Sequence, residues 1–381
     1  MKILMITNEY FELVGGLQTY INNLKEGLQR RGITVFHLHI SNQISNVSNS
    51  SYFSIKKPIS GSLFNVSFYS QIRRYILQIN PDVIHNHCIH HSPLSLLLAT
   101  KGYKQIQTIH DTMYLNAGPF TWQDRSIVVL PLVFFLEIIH KIFKKLFTDV
   151  FICPSLYLLK ICRKYGFKNS IYLPHFTPSF KKLKRTRSSE SGQKSSTTVL
   201  FVGRLVTVKG IFDLLDAFEL AFQQNKTLRL LYVGTGPDKD KLQQKIQEKK
   251  LKSFVSLVGE IQHDQLSPFY SDALVVVIPT LRNEAFGLVA IEAMSQGKVI
   301  IAYKGGALAE LVVDGKTGFV IKKGNIPVLG QKLLYVATHK KAMSKLGRDG
   351  QQIAQIRYSE SSHLNTLIYL YESALKDKNL K

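Results

Sequence analysis

Short apolar runs recur along this chain, and each is followed by a loop and then by a helical pattern. Lys2–Thr7 has the pattern of a buried strand, Leu17–Arg30 that of an amphipathic helix ending before Gly32, and Thr34–Ile40 that of a second strand. Strands that are apolar throughout are typical of parallel sheets covered on both faces, so the sequence predicts a doubly wound α/β domain here. Further strands of this domain are predicted at Asp82–His85, Gln105–Ile109 and Val150–Cys153.

A second α/β series follows a segment of different composition. Residues 181–198 are rich in Ser, Lys and Arg and contain no aromatic residue, so we interpret them as a linker. Predicted strands follow at Val199–Val202, Leu228–Val233, Phe254–Leu257 and Ala273–Ile278, and predicted helices at Ile211–Gln223 and Asp238–Lys249. The 381 residues thus divide into a first domain (1–180), the linker, a second domain (199–355) and a C-terminal helical segment (356–381). Since ligands bind beyond the carboxyl ends of such strands, we expect the site in a cleft between the two domains.

The chain is strongly basic, with 49 Lys and Arg against 26 Asp and Glu and a net charge of +23. The excess is uneven, because residues 1–194 carry 24 basic and 9 acidic side chains while residues 195–381 carry 25 and 17. This charge predicts an anionic partner, either nucleic acid, an anionic membrane surface or a phosphorylated substrate. A nucleic-acid-binding protein is the less favoured interpretation, because the sequence has no zinc-finger spacing, RNA-binding aromatic strand or basic heptad helix.

Cysteine usage and hydropathy favour a cytoplasmic protein. Cys88, Cys153 and Cys162 form no C-x-x-C pair and cannot all pair with one another, which is typical of a reducing compartment. Met1–Tyr10 lacks the apolar core of a signal peptide. The longest apolar run, Ile127–Leu136, is interrupted by a proline and is about half the length that a spanning helix needs.

Two acidic residues flank a predicted helix start directly after the strand at Ala273–Ile278. Glu284 lies in the preceding loop, and Glu292 lies on the helix, which is expected to begin near Phe286 or Gly287. The free N–H groups and the dipole at such a helix start favour a phosphate. The two carboxylates could therefore hold different parts of one elongated ligand; two solvated acids are the alternative.

Two cations lie five residues apart in the loop after the first strand of the second domain. Arg204 offers a planar guanidinium and Lys209 an ammonium group, and both bind phosphate oxygens. Together with the helix start they could neutralise a diphosphate without a metal. The alternative is a solvated basic loop.

These motifs occur in an order that resembles a known family. The second half contains, in order, GRLVTVKG, VGTGPDKDKL, GEIQHDQLSPFYSDALVVVIPT, NEAFGLVAIEAMSQGKVIIA and GGALAELVVDGKTGFVI. The first half contains Gly15-Gly16, PDVIHNH, His110-Asp111 and TDVFICPS. With these motifs in this order, the chain resembles retaining glycosyltransferases of family four. The resemblance implies the GT-B fold, in which two Rossmann-like doubly wound domains face each other across a cleft. It also implies that the C-terminal helix crosses back to the first domain.

The resemblance also implies a role for each site residue. It implies that Arg204 and Lys209 bind the donor diphosphate, that Glu292 binds the ribose, and that the backbone of Ile261 contacts the base. Glu284 and the amides of Phe286, Gly287 and Leu288 would bind the donor sugar and phosphate. In the first domain, Gly15 and Gly16 would lie close to the phosphates, and His110 would touch the transferred sugar. The chain departs from the family pattern at Ala285 and Ala309, where Gly and Pro are frequent, and it lacks a proline upstream of the double glycine.

The predicted activity is transfer of a sugar from a nucleotide diphosphate sugar to an acceptor hydroxyl, with retention implied by the resemblance. UDP is the expected nucleotide, and a lipid-linked saccharide of cell-surface polysaccharide or glycolipid synthesis is the expected acceptor. Another GT-B enzyme, a nucleotide-sugar epimerase or a sugar phosphorylase, is the alternative. We expect no cofactor and no metal, since the one Asp-x-Asp pair, Asp238 and Asp240, is interpreted as acids in the first turn of a helix.

Two further segments each allow two interpretations. His85, His87, Cys88, His90 and His91 form a cluster, but without paired ligand spacing we favour structural or acceptor-lining histidines over a zinc site. The helix predicted over Phe135–Phe147 places apolar residues on one face and His140, Lys141, Lys144 and Lys145 on the other. The apolar face could pack on the sheet, or it could attach the protein to a membrane. With the basic excess of residues 1–194, we expect a cytoplasmic protein bound peripherally to the anionic inner face of the membrane.

Overall fold

The structure is a computed structural model of the full chain, and it describes residues 1–8, 16–41, 51–56, 64–87, 94–112, 138, 141–177 and 197–376. It divides into two compact units. The first comprises Met1–Pro174 and His363–Lys381, and the second comprises His175–Ser362. Most of the predicted linker, and residues 377–381, lie outside the described residues.

The described part of the first unit is built on a parallel sheet of seven strands in the order β3-β2-β1-β4-β5-β6-β7. These strands are β1 Lys2–Asn8, β2 Thr34–Ser41, β3 Tyr52–Lys56, β4 Val83–Asn86, β5 Lys104–Thr108, β6 Val150–Cys153 and β7 Ser170–Tyr172. The helices between them are α1 Gly16–Gln29, α2 Val66–Ile79, α3 Leu94–Ala99 and α4 Leu156–Lys164, and residues 141–147 are also helical.

Burial explains why these segments form this unit. Strand β1 lies between β2 and β4, and its side chains from Ile3 to Ile6 are completely buried, as a central strand of a covered sheet requires. Helix α2 begins where the Asn65 side chain accepts a hydrogen bond from the Phe68 amide at 2.8 Å. It buries a stripe of residues at helical spacing, Phe68, Ile72, Ile76 and Ile79.

The second unit has a parallel sheet of six strands among the described residues, in the order β10-β9-β8-β11-β12-β13. The strands are β8 Thr198–Val202, β9 Arg229–Val233, β10 Val255–Gly259, β11 Ala273–Ile278, β12 Val299–Tyr303 and β13 Gly318–Ile321. The helices are α5 Ile211–Gln224, α6 Lys239–Glu248, α7 Ser267–Asp272, α8 Leu288–Ser295, α9 Leu308–Leu311, α10 Ile326–Thr338, α11 Lys340–Arg357 and α12 Glu360–Lys376. From His363 onward, α12 belongs to the first unit.

Apolar clusters cover both faces of the second sheet. Alternate strand residues such as Val275 and Val277 pack with α5 and α10, whereas Val276 packs with α8 and α11. In both sheets the strand order reverses direction beside the first strand, β1 or β8, which is where α/β sheets bind ligands. The predicted doubly wound architecture is confirmed in each unit.

Helix 141–147 corrects the sequence interpretation of its two faces. Ile138, Ile142 and Leu146 are 43%, 48% and 63% exposed, whereas Lys144, predicted on the polar face, is only 2% exposed. Lys145 is exposed, and the Nζ of Lys141 lies 4.7 Å from the ring centroid of Tyr165. Three residues of the predicted apolar face are therefore open to solvent, while Phe143 on the same face is partly buried, so this face does not pack on the protein as a whole. No helix of the described residues is long and apolar enough to cross a membrane.

Candidate active site

The loop after β8 carries the two predicted diphosphate cations. It ends in a 3₁₀ turn, Thr207–Lys209. The position of this turn depends on Asp238, which lies between β9 and α6. The carboxylate of Asp238 accepts hydrogen bonds from the Thr207 amide at 2.6 Å and from the Thr207 hydroxyl at 2.7 Å. These bonds lower the pKa of Asp238. Asp240 lies in the first turn of α6, as predicted. Asp238 is instead the N-cap residue of that helix, and its carboxylate bonds to the turn that holds Lys209 rather than to the helix.

Lys209 and Glu284 form an ion pair with each other. The Lys209 Nζ lies 2.6 Å from the Glu284 Oε1, and both side chains are partly exposed. Arg204 is exposed, and its side chain makes no hydrogen bond or ion pair with the residues that the structure describes. The structure thus brings the loops after the neighbouring strands β8 and β11 together at one edge of the second sheet.

Glu284 is held by its backbone to the loop after β12. Its carbonyl accepts a hydrogen bond from the Ala307 amide at 2.9 Å. Gly306 has φ +56°, and a Cβ there would lie 2.2 Å from the same carbonyl oxygen, so a side chain at this position would separate the two loops. Beside Glu284, the Asn283 side chain accepts a hydrogen bond from the Lys323 Nζ at 2.8 Å.

Helix α8 begins at Leu288, close to the predicted start. Gly287 is its N-cap at φ +110°, and a Cβ there would lie 2.9 Å from the Leu308 side chain, so the tight turn requires glycine. The Phe286 ring is buried against His175 and Tyr358 at centroid distances of 5.1 and 6.0 Å. Phe286 is therefore an apolar anchor for the turn whose amides were predicted to bind phosphate.

Glu292 lies one turn into α8 and is 4% exposed. Its Oε2 accepts a hydrogen bond from the Tyr270 hydroxyl at 2.7 Å, and its Oε1 lies 3.0 Å from the His263 Nε2. Burial raises the pKa of Tyr270 well above its usual value, so the phenol stays protonated and donates. Ile261, the predicted base contact, is half-buried two residues before His263.

The residues predicted for the site in the first half of the chain lie near the ends of strands of the first unit. Gly16 begins α1, and Gly15 lies outside the described residues. His110 follows β5, and its Nε2 lies 3.0 Å from the Nδ1 of His87, which follows β4. Burial lowers the pKa of His110 to about 3, so its imidazole is neutral near pH 7 and offers hydrogen bonds rather than charge.

His85 bonds to two hydroxyl groups within the first unit. Its Nδ1 lies 2.6 Å from the Tyr371 hydroxyl of α12, and its Nε2 lies 2.8 Å from the Thr108 hydroxyl. Among the residues that the structure describes, no three His, Cys, Asp or Glu side chains are arranged to hold a metal. Cys88, His90 and His91 lie outside that part of the chain.

Two family models together match most of the chain. The model described as Glycosyltransferase Family 4 matches residues 14–173, and the model described as Glycosyl transferases group 1 matches residues 184–353. The chain belongs to glycosyltransferase family four. The predicted family is thereby confirmed, and the two matches fall on the two halves of the chain.

Relatives of this family-four chain are similar over different lengths. It is 30% identical over 41% of its length to an uncharacterized glycosyltransferase of Methanocaldococcus jannaschii, of which the match covers 42%. It is 24% identical to alpha-monoglucosyldiacylglycerol synthase of Acholeplasma laidlawii, over 100% of this chain and 99% of that one. The chain thus spans less than half of the archaeal relative but nearly all of the second.

Solved GT-B structures show the same fold. A crystal structure of Anabaena HepE in complex with UDP superposes with a TM-score of 0.71 at 18% identity, covering 98% of this chain and 100% of that one. The fold of the chain is therefore that of GT-B glycosyltransferases. The facing arrangement of its two domains and the cleft between them stay predictions.

The sequence did not predict the residues that hold the proposed donor-binding side chains in place. The Asp238 carboxylate bonds to Thr207 in the turn that holds Lys209. Glu292 is bonded by His263 and Tyr270, which lie on a separate loop and helix. Lys323 does the same for Asn283, next to Glu284. His263 and Tyr270 belong to GEIQHDQLSPFY, a segment quoted for the resemblance, so its polar residues were the one available signal.

Proposed function

We propose that the chain is a retaining glycosyltransferase that transfers a hexose from a UDP-sugar to an acceptor hydroxyl without a metal ion. The observation that carries the proposal is the convergence of Arg204, Lys209, Glu284 and the start of α8 at the carboxyl edge of the second sheet. Cations and free amides at one edge suit a diphosphate, and a neighbouring carboxylate suits sugar hydroxyls. HepE, whose structure contains UDP, has the same fold.

In the proposed reaction the bond between the sugar and the diphosphate breaks, the acceptor oxygen bonds to the same sugar carbon, and the proton of the acceptor hydroxyl passes to the leaving phosphate oxygen. Negative charge grows on the leaving diphosphate, and the sugar gains oxocarbenium character. Cations that face the diphosphate therefore stabilise the transition state more than the ground state. Binding of the donor would move the Lys209 ammonium from Glu284 to a phosphate oxygen, which frees the Glu284 carboxylate for a sugar hydroxyl. Neutral His110 would hydrogen-bond the transferred sugar.

A metal is not needed in this proposal, because the chain's own cations replace it. The one Asp-x-Asp pair of the sequence is engaged otherwise, since Asp238 caps the turn of Lys209 and Asp240 lies in the first turn of α6. Arg204 and Lys209 supply the positive charge that a divalent ion would bring.

The proposed acceptor is a lipid-linked saccharide, reached at the inner face of an anionic membrane. The exposed stripe of Ile138, Ile142 and Leu146 supports this proposal, because Lys141 and Lys145 lie beside it on the same helix. The basic excess of residues 1–194 adds attraction for anionic lipid. The relative from Acholeplasma laidlawii is named for the synthesis of a glycolipid.

The test is a transfer assay with a panel of UDP-, GDP- and ADP-sugars, a lipid-linked saccharide acceptor, and analysis of products and anomeric configuration. The proposal expects a UDP-sugar to support formation of a glycoside with the donor's configuration. A product with inverted configuration, an epimerised nucleotide sugar, or turnover that requires inorganic phosphate would contradict it.

A further inference from the structure

Glu292 is held by two side chains that approach it from different elements. Tyr270 lies on α7, and His263 begins the 3₁₀ turn His263–Gln265 after β10. The Tyr270 hydroxyl bonds to one carboxylate oxygen at 2.7 Å, and the His263 Nε2 lies 3.0 Å from the other. Neither contact depends on the sequence neighbours of Glu292, so both result from the tertiary fold.

The two partners differ in their surroundings. Tyr270 is completely buried, and its hydroxyl fixes Oε2 from the interior side. His263 is partly exposed, so it contacts Oε1 at the more open side of the carboxylate. A carboxylate oxygen accepts more than one hydrogen bond, so each oxygen keeps capacity for a ribose hydroxyl after its protein bond is made.

We propose that His263 is a positioning residue for Glu292 and that, with Tyr270, it orients the carboxylate toward the ribose hydroxyls of the donor nucleotide. This inference rests on the proposed function, in which Glu292 binds the ribose. Without the His263 bond, only the Tyr270 hydroxyl restrains rotation of the carboxylate about its Cγ–Cδ bond, and binding of a ribose hydroxyl must then order the side chain further.

The position of His263 also links two parts of nucleotide recognition. Ile261, the predicted base contact, is two residues away, and the backbone between them is tied into the 3₁₀ turn by the Gln265 amide, which donates to the Gln262 carbonyl at 2.9 Å. The same short loop therefore carries the base contact and the residue that orients the ribose ligand.

The test compares ribose recognition in the wild-type chain and in variants by calorimetry. UDP, GDP, ADP and CDP are titrated first, and the diphosphate that binds best is compared with its 2′-deoxy and 3′-deoxy counterparts. For the wild-type chain, loss of a bound hydroxyl is expected to weaken binding by roughly ten-fold or more. The measured quantity is the ratio of the Kd of the deoxynucleotide to the Kd of the ribonucleotide. In His263→Ala this ratio is expected to fall toward one. His263→Asn, which keeps an N–H donor, is expected to restore part of it.

The ratio separates a positioning role from a structural one. A merely structural role would weaken the ribo- and deoxynucleotides equally, and the ratio would stay at the wild-type value, which would overturn the inference. His339→Ala, at an exposed histidine between α10 and α11, is the matched control and is expected to leave the ratio unchanged. If His263→Ala does not fold, Tyr270→Phe removes one hydroxyl only and carries the same expectation.

Failure of the proposed function gives a different result. If the wild-type chain binds none of the four nucleoside diphosphates, the proposed function fails and the inference fails with it. If the wild-type chain binds one of them and discriminates its ribose, but His263→Ala and Tyr270→Phe discriminate equally well, the positioning role alone fails.

Discussion

Arg204 and Lys209 are the two cations that the proposed reaction places against the leaving diphosphate. Arg204→Ala and Lys209→Ala are each expected to raise the activation free energy by on the order of 2–4 kcal/mol, because each cation's interaction grows as the leaving diphosphate becomes charged. Steady-state kinetics should show this loss mainly in kcat. Lys345→Ala, at an exposed lysine of α11, is the control. A raised donor KM with unchanged kcat would assign the cations to ground-state binding.

His363 makes the first unit sensitive to acid. Its Nδ1 donates to the Pro174 carbonyl at 2.7 Å, so its Nε2 accepts from the Tyr20 hydroxyl at 3.0 Å, and burial lowers the pKa of His363 to about 4. The unfolded chain binds a proton near pH 6.5, so stability falls as the pH drops from about 6.5 toward 4. We expect His363→Gln to reduce that loss by on the order of 2–3 kcal/mol, measured by urea unfolding at several pH values. An unchanged pH slope, equal to that of His339→Gln, would contradict this assignment.

The 3₁₀ turn Thr207–Lys209 is held in position by the Asp238 carboxylate. Both hydrogen bonds to Thr207 are lost in Asp238→Ala, so the turn and the Lys209 side chain should become less ordered. We expect kcat/KM for the donor to fall by roughly ten-fold. Thr207→Val removes only the hydroxyl bond and should have a smaller effect. Asp240→Ala changes the next acid of the same segment and serves as the control; an equal loss in Asp240→Ala would indicate a general effect of charge.

The exposed residues Ile142 and Leu146 of helix 141–147 are the proposed membrane contact of the first unit. Ile142→Gln and Leu146→Gln are expected to weaken flotation with vesicles that contain phosphatidylglycerol by on the order of ten-fold each, because each removes apolar area that the lipid would bury. Both side chains are exposed, so folding should be unaffected. Leu77→Gln, at an exposed leucine of α2, is the matched control. Equal flotation of all variants would exclude the stripe from membrane binding.

The elements that were predicted well are those whose signal is local. The strands β1 and β11 contain the continuous apolar runs Ile3–Ile6 and Ala273–Ile278, and both are central strands of their sheets. Strand β3, Tyr52–Lys56, was missed because a short edge strand of mixed polarity has no distinct pattern. The faces of helix 141–147 were misjudged because amphipathicity shows that two faces differ, without showing which one packs on the protein.

Across the whole chain, the sequence predicted the residues expected to contact the donor but not the residues that hold those side chains in place. Glu284 and Glu292 occupy the predicted loop and helix. The bonds from Asp238 to Thr207 and from His263 to Glu292 join segments about 30 residues apart in sequence, and they form only because parallel strands place their loops at one edge. Such contacts follow from strand order, which local patterns do not contain.

The proposed mechanism depends on Arg204 and Lys209 supplying the counter-charge of the donor diphosphate. Its most direct test is the initial rate of sugar transfer by the wild-type chain in excess chelator, with and without added manganese or magnesium. We expect the rate in chelator to equal the rate without it, and we expect added metal not to raise it. Activity that is abolished by chelation and restored by manganese would contradict this mechanism, because a divalent ion would then carry the charge assigned to the two side chains.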